Sequence, residues 1–302
     1  MEKIFLVPIL LISTLFGQIK ITSIEKIPIP SNEQWSYTKY SLSGKEIYLT
    51  NNTYEGIWQY TVGTKLLREI TRDPGSGYNF AISSDGEKIA YRRTFLTKNS
   101  IERKQEIVLL DVVSLHSEVI LSGNDIQTPL FIQNELVVTD PQSKKNVLPE
   151  NVLSQTTLLE SENSKIIVSI NREKKVIDPF ENGQYIWQSL SPDKSKLVAI
   201  EMDRGAFISD LDGKNVVKIG RCDAPQWTRS GQWVIGMNDL DDGYKIISSE
   251  IVAVSADGTN RIQLTDTPEE LELFPSCSTT SNSFVVCNAK GEITEYTYAE
   301  GK

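Results

Sequence analysis

The chain has 302 residues, with 31 lysines and arginines against 40 aspartates and glutamates, so its formal net charge is −9. Apolar residues make up 39% of it, which supports a sizeable core. Because phosphate contacts need clustered basic residues, this acidic balance argues against nucleic acid as a partner. One histidine and three cysteines exclude the usual four-ligand zinc site and leave little room for a histidine-dependent catalytic triad.

Residues 1–17 have the pattern of a secretory signal peptide. Lys3 precedes the apolar run from Ile4 to Phe16, and the small residue Gly17 follows it. The run is shorter than the roughly 20 residues of a membrane-spanning helix, and no cysteine stands at position 18 to carry a lipid anchor. We therefore predict a mature chain, residues 18–302, that is secreted or periplasmic and does not span a membrane. A buried amino-terminal strand or an uncleaved anchor is the alternative.

From about residue 35 onward, short runs rich in Val, Ile, Tyr and Thr alternate with polar turns, which predicts an all-β protein. One kind of hairpin recurs seven times, with an average spacing of about 40 residues, the period of one four-stranded propeller blade. The seven hairpins occupy residues 40–50, 81–93, 131–140, 160–170, 189–201, 227–238 and 277–288.

A second hairpin follows the first in at least three of the repeats, at residues 107–121, 206–220 and 251–265. Two hairpins per repeat make a four-stranded antiparallel sheet, and such sheets bury both faces when they pack radially. We therefore predict a single β-propeller domain over residues 18–302, with seven blades by hairpin count. Residues 126–183 are irregular, so six blades is the alternative. The alternating stretch 19–29 is expected to complete the last blade and close the ring.

Two repeats carry a specific pattern. One has Trp187, Ser191-Pro192-Asp193 and Asp210-x-Asp212-Gly213, and the other has Trp227, Ser230-Gly231, Asp257-Gly258 and Arg261-x-x-Leu264-Thr265. This pattern resembles the repeat of TolB-like, WD-repeat-like β-propellers. The resemblance implies the fold and no reaction. TolB itself has an α/β domain before its blades, whereas blade-like sequence begins here by Trp35, so the TolB role at the cell envelope does not transfer.

Cys277 and Cys287 flank the turn-rich sequence TTSN, and a hairpin centred near Asn282 would place their thiols opposite each other. We therefore predict a disulfide between them, although a register slip of one residue would turn the side chains apart. Cys222 is interpreted as a small buried hydrophobic residue.

No catalytic, cofactor-binding or metal-binding residue is assigned from the sequence. His116 falls in the predicted turn between the outer strands of blade 2, away from any partner. No Gly-x-Ser-x-Gly nucleophile elbow occurs. The segment Asn238–Gly243 is rich in oxygen ligands, but its spacing does not match a calcium loop.

Tryptophans could stack on a sugar, and Trp58 is expected to be the exposed one. Trp187 and Trp227 are expected to pack between blades. The basic residues Arg92, Arg93 and those in 98–104 fall in a long polar hairpin, which we interpret as a solvated loop.

These observations favour a non-enzymatic, exported propeller that binds a protein or peptide partner on one face or at the channel mouth, with the binding residues unknown. One alternative is a propeller enzyme that acts on a glycan or peptide through carboxylates such as Asp193, Asp203 and Asp239, paired in the channel. Another is a carbohydrate-binding lectin with exposed aromatic side chains beside polar groups.

Overall fold

All regular secondary structure that the computed structural model describes is β-strand. The predicted signal peptide, residues 1–17, and residues 98–101 of the basic hairpin lie outside the described residues. Within the described stretches no helix is long and apolar enough to cross a membrane. Those stretches are residues 18–29, 33–97, 102–132, 134–138, 157–159, 165–170 and 173–301.

The described strands form seven antiparallel sheets, which we number as blades 1 to 7 in chain order. Blade 1 contains β2 (Trp35–Tyr40), β3 (Glu46–Asn51), β4 (Ile57–Thr61) and β5 (Leu66–Thr71). Blade 2 contains β6 (Ala81–Ile82), β7 (Lys88–Leu96), β8 (Arg103–Asp111) and β9 (Ser117–Gly123). Blade 3 contains β10 (Leu130–Ile132) and β11 (Glu135–Val137), and blade 4 contains β12 (Thr157–Leu159), β13 (Ile166–Ile170) and β14 (Glu173–Ile177).

The remaining blades follow the same plan. Blade 5 contains β15 (Tyr185–Leu190), β16 (Lys196–Glu201), β17 (Gly205–Asp210) and β18 (Val217–Gly220). Blade 6 contains β19 (Asp223–Trp227), β20 (Trp233–Asp241), β21 (Ile246–Ser255) and β22 (Arg261–Gln263). Blade 7 contains β23 (Glu272–Cys277), β24 (Ser283–Asn288) and β25 (Ile293–Glu300), and its fourth strand is β1 (Ile19–Ile27).

The predicted blade of four antiparallel strands is confirmed in blades 1, 2, 5, 6 and 7. Blades 3 and 4 have two and three described strands, and both border ranges outside the described residues. The predicted hairpin count of seven agrees with the seven sheets.

The first strand closes the ring, as was predicted from the alternating stretch 19–29. β1 pairs antiparallel with β25, from Ile19 opposite Glu300 to Ile27 opposite Ile293. The amino-terminal end of the described chain thus supplies the outer strand of the last blade. This pairing covers the backbone hydrogen-bonding groups that β25 would otherwise expose.

The core lies between the blades. Seven buried apolar clusters each join two neighbouring blades. The cluster that contains Ile47 and Leu49 of β3 also contains Val285 and Cys287 of β24, so blade 1 packs on blade 7. The middle strands are therefore buried on both faces, and all six residues of β24 are buried.

A serine hydroxyl organises the turn after several innermost strands. Ser83 Oγ donates to Asp85 Oδ1 at 2.6 Å and accepts from the Lys88 backbone N–H at 2.9 Å. Gly86 completes this turn with a φ of +75°, a conformation that L side chains rarely adopt. Ser191 and Asp193 make the same contacts in blade 5. The Ser-x-Asp part of the repeat pattern therefore has a structural explanation in the turn itself.

The register of blade 7 does not match the predicted disulfide. Cys277 lies opposite Phe284, and Cys287 lies opposite Leu273, so the two cysteines are not cross-strand partners. A register shift between Leu273 and Ser276 separates these pairs. All three cysteines are free. Cys222 is buried, in agreement with its interpretation as a small hydrophobic residue.

Candidate binding site in the central channel

A channel runs between the innermost strands of the blades. Its inner part is a cavity of about 420 Å³ with walls from β2, β6, β10, β15, β19 and β23. A second cavity of about 640 Å³ adjoins it on the side where these strands begin, and we call this part the mouth. Five wall residues are shared, so the two cavities form one continuous space: Tyr37, Asn79, Trp187, Gln188 and Phe274.

One repeat position builds much of this wall. In each complete blade, the residue four positions before the Ser or Thr that opens the first turn lines the channel. These residues are Tyr37, Asn79, Trp187, Ala224 and Phe274. Asn79, Trp187, Ala224 and Phe274 have φ values between 47° and 52°, in the left-handed region. Such a backbone is unfavourable for bulky side chains, and its recurrence at one position shows that the packing of the blades holds it there.

A β-bulge accompanies this backbone. The pairing of the innermost strand with the next strand shifts register between Ile186 and Ser189 in blade 5 and between Leu273 and Ser276 in blade 7. Because a bulge re-aims a side chain, it accounts for Trp187 and Phe274 facing the channel instead of the space between blades.

The mouth is aromatic. Phe274 and Tyr37 lie with ring centroids 5.7 Å apart, and Tyr54 and Tyr78 meet edge to face at 5.4 Å. Trp187 is 45% exposed at the boundary of mouth and inner cavity. Exposed aromatic side chains on a rigid frame provide large contact area at low entropic cost.

The tryptophan predictions are corrected by this arrangement. Trp58, expected to be exposed, is 3% exposed and lies edge-on to Trp35 with centroids 5.1 Å apart. Trp187, expected to pack between blades, faces the channel because of the bulge. Trp227 is buried as predicted, and its indole N–H donates to the Ser189 carbonyl at 3.3 Å.

Lys39 is the charged side chain of the inner cavity. It follows Tyr37 by two residues on β2, so both side chains point to the same face of the strand. Its Nζ donates to the Phe80 carbonyl at 3.1 Å and lies 5.5 Å from the centroid of the Phe80 ring. Burial lowers the pKa of the Lys39 ammonium to about 8. No carboxylate occurs among the described residues that line the two cavities.

Two long hairpins extend beyond the innermost strands at the mouth end. In blade 2, β7 and β8 remain paired from Lys88 opposite Asp111 to Leu96 opposite Arg103. A groove of about 280 Å³ runs along this hairpin between Tyr54, Tyr78, Arg92 and Arg103. Arg92 donates to the Ile126 carbonyl at 2.6 Å and lies over the Tyr78 ring. In blade 6, β20 and β21 end at a tip where Tyr244 is 98% exposed.

The structure does not bring the three candidate carboxylates together. Asp193 accepts bonds from Ser191 and Ser195 within the turn between β15 and β16, and these bonds lower its pKa. Asp203 lies in the turn between β16 and β17. Asp239 lies on β20, where its carboxylate accepts from Ser249 Oγ at 2.6 Å.

Asp239 has a neighbour that the sequence did not single out. Burial raises the pKa of Asp239 and also that of Asp223 on β19, and the Asp239 charge raises the pKa of Asp223 further. Neither residue lines the described channel wall.

Other polar candidates are satisfied locally. Asp241 and Asp242 in the segment Asn238–Gly243 accept backbone N–H bonds from Gly243, Tyr244 and Lys245, which are bonds of their own turn. His116 is exposed in the turn between β8 and β9. Arg93, from the basic hairpin, pairs with Asp73 at 3.2 Å and with Glu106 at 2.7 Å.

Sequence reasoning missed Tyr37, Lys39 and Phe274 as channel residues. A signal for the wall was present, because the turn Ser or Thr is recognisable and the wall residue lies four positions before it. Strand alternation alone does not reveal which residues face the channel. The bulge between the wall residue and the turn Ser or Thr interrupts the two-residue period.

No family model matches the chain, and no curated protein matches it either. Solved structures do. TolB from Acinetobacter baumannii superposes with a TM-score of 0.51 at 17% identity, over 78% of this chain and 55% of that structure. This chain thus spans little more than half of the TolB structure.

Two further similar structures are covered almost completely. The Cps50 (Swd1) β-propeller domain from Myceliophteria thermophila matches with a TM-score of 0.56 at 10% identity, over 91% of this chain and 99% of that one. U3-55K matches with a TM-score of 0.57 at 11% identity, over 93% and 100%. At such identities the likeness concerns the fold. The chain has a β-propeller fold similar to those of TolB and WD-repeat proteins.

Proposed function

We propose that this chain is an exported, non-enzymatic scaffold that binds a segment of a protein or peptide partner at the mouth of its channel. The observation that carries the proposal is the mouth itself, where six aromatic residues surround an open cavity with no carboxylate among its described wall residues: Tyr37, Tyr54, Tyr78, Tyr185, Trp187 and Phe274. Aromatic anchors in a rigid pocket are typical of the energetic centres of binding sites.

The absence of a carboxylate pair in the described wall supports a binding role over glycoside or peptide cleavage. Carboxylate-based hydrolysis of a glycan needs two such groups about 5–10 Å apart on either side of the bond to be cleaved. Export is proposed from residues 1–17, whose pattern is that of a signal peptide, and residues 18–302 are proposed to form one domain.

A photocrosslinking experiment tests this proposal. The mature chain carrying p-benzoylphenylalanine in place of Tyr54 at the mouth, or in place of Leu66 on the outer strand of blade 1, is exposed to the envelope and culture fluid of its host. Leu66 is 66% exposed, more than Tyr54, so it controls for adducts that arise from surface accessibility alone. We expect a protein adduct from position 54 that position 66 does not give and that unlabelled mature chain competes away. Equal adducts from both positions would contradict the mouth as the site.

A glycan ligand is the second candidate, favoured by the half-exposed Trp187 beside the amides of Gln188 and Asn79. Sugars commonly stack on an aromatic face while amides bind their hydroxyls. Retention of neutral oligosaccharides, lost in Trp187→Ala, together with no protein adduct at position 54, would favour this candidate over the first.

A further inference from the structure

The inner cavity holds an ammonium group with no carboxylate among the described residues that line it. Of the described residues that line it, Lys39 is the charged one. An ammonium has three N–H donors, and the hydrogen bond found for Lys39 in the described part of the chain is the one to the Phe80 carbonyl. Lys39 is partly exposed to the channel, and a charge that is partly withdrawn from water is unfavourable unless it is paired with an opposite charge.

The groups around Lys39 from each neighbouring strand are neutral. Tyr37 of β2 is uncharged at neutral pH, as an ordinary phenol is, and burial raises its pKa further. The wall residues from β6, β10, β15, β19 and β23 have no ionisable side chain. Towards the mouth the ionisable wall residues are Tyr54, Tyr78, Tyr185 and Arg92, of which Arg92 is cationic. The described channel wall therefore has positive charge although the whole chain has a net charge of −9.

The remaining residues of the inner wall indicate what kind of ligand would supply an anion to pair with Lys39. Ile82, Leu130, Phe131 and Pro275 present apolar surface, while Gln188 and Gln226 present neutral amides. The wall thus combines amide and apolar side chains, so its amides can bind the backbone of a peptide while its apolar side chains contact apolar side chains of that peptide. An extended peptide presents apolar side chains with an occasional carboxylate, so it fits both the wall and the charge.

We propose that Lys39 is an anion-recognition site inside the channel, which binds a carboxylate carried by an otherwise apolar peptide segment that enters through the mouth. This inference rests on the proposed peptide-binding function and adds the chemistry of the ligand. The carboxylate can be an acidic side chain or the carboxyl terminus of the peptide.

Retention of defined peptide libraries on immobilised mature chain tests the inference. The first library consists of N-acetylated, C-amidated tetrapeptides with one position fixed as Glu or as its neutral isostere Gln, and the other positions drawn from apolar residues. The second has only apolar side chains, with either a free or an amidated carboxyl terminus. Bound peptides are quantified by mass spectrometry, so the two libraries separate the two sources of carboxylate.

We expect one library to show a preference of roughly tenfold for the acidic member at pH 6.5, the size of a charge-assisted hydrogen bond. The preference should fall as the pH rises through about 8, the pKa of Lys39. Lys39→Met, which keeps an apolar stem, should bind acidic and neutral members equally, whereas Lys39→Arg should keep the preference. Lys20→Met, an exposed lysine on β1, is the matched control and should behave like the wild type.

The outcomes separate this inference from the proposed function. Retention of apolar peptides without an acid preference, or a preference that survives in a folded Lys39→Met variant, would overturn the inference and leave the proposed function standing. No retention of any peptide by the wild type would overturn both. Lys39-dependent binding of a uronic-acid disaccharide, without binding of acidic peptides, would show that the carrier is a glycan and would also overturn the inference. Circular dichroism of each variant confirms its fold.

Discussion

The Tyr40 hydroxyl of β2 donates to Glu295 Oε1 of β25 at 2.5 Å, which ties blade 1 to blade 7 where the ring closes. Tyr40 also lies in the apolar cluster shared by these blades and is 7% exposed. The chain ends of the ring are thus held by a side-chain hydrogen bond in addition to the pairing of β1 with β25.

Removal of this hydroxyl should weaken the closure. We expect Tyr40→Phe to lower the free energy of unfolding by about 1–2 kcal/mol, because the partly buried Glu295 carboxylate loses a donor. The control is Tyr60→Phe, since Tyr60 lies in the same cluster and its hydroxyl makes no hydrogen bond to the described residues. Urea denaturation measures both, and an equal loss in the two variants would contradict the role assigned to Tyr40.

The strand that closes the ring should be stabilised through its buried end. Ile19 is 2% exposed and packs in the cluster between blades 6 and 7, whereas Ile24 on the same strand is 63% exposed. We expect Ile19→Ala to cost about 2–4 kcal/mol of unfolding free energy and Ile24→Ala less than about 0.5 kcal/mol. Similar midpoints for both variants in thermal denaturation would contradict closure by β1.

Substitutions of two tryptophans should distinguish a residue needed for stability from one needed for binding. Trp58→Ala removes a buried ring and should cost about 3–5 kcal/mol of unfolding free energy. Trp187→Ala removes a half-exposed ring at the channel and should cost less than about 1 kcal/mol. Trp187→Ala should nevertheless abolish the protein adduct formed by p-benzoylphenylalanine at position 54. If Trp187→Ala unfolds the chain as readily as Trp58→Ala, the channel position of its ring is wrong.

Glu272 should make stability depend on pH. Burial raises the pKa of its carboxyl above the ordinary value of 4.5, and Tyr296 donates a hydrogen bond to it. The folded chain therefore holds this proton more tightly than the unfolded chain does. The resulting stabilisation is full below the ordinary pKa and is lost as the pH rises through the raised pKa. The neutral variant Glu272→Gln should gain stability relative to the wild type as the pH is raised over this range.

Glu292→Gln is a control for which the change in stability with pH should have the opposite sign. The Asn288 side chain and the Lys26 charge lower the pKa of Glu292, so its stabilisation is present above the ordinary value and is lost as the pH falls through the lowered pKa. This variant should therefore lose stability relative to the wild type as the pH rises. Urea denaturation at several pH values measures both, and slopes of the same sign would refute the assignment.

The cysteines should titrate as three thiols. In the denatured chain without reductant, Ellman's reagent should detect Cys222, Cys277 and Cys287, because all are free. In the folded chain, burial raises the pKa of Cys222 and of Cys287 to about 12, so both should react slowly. Detection of a single thiol after denaturation would restore the disulfide between Cys277 and Cys287.

Local patterns were sufficient to predict the blades. The apolar strands, the Ser-x-Asp turns and the 40-residue spacing all depend on neighbours close in sequence, and β1 could be placed because its residues alternate. The predicted disulfide is wrong because the turn lies closer to Cys277 than the sequence suggested. Cys277 pairs with Phe284, which centres the hairpin between Thr280 and Ser281 instead of near Asn282, and the number of residues between two cysteines does not reveal where the turn falls.

What the sequence by itself determined is the repeat, because strand and turn preferences are local and recur in every blade. Only the tertiary structure decided which side chains reach the channel. Trp187 and Trp58 are chemically alike, yet the left-handed backbone at Trp187 turns its ring into the channel while Trp58 packs against Trp35. Likewise, Lys39 has no carboxylate partner among the described wall residues because six separate blades bring neutral residues around it. Such convergence arises from ring closure over long sequence distances, which no local pattern encodes.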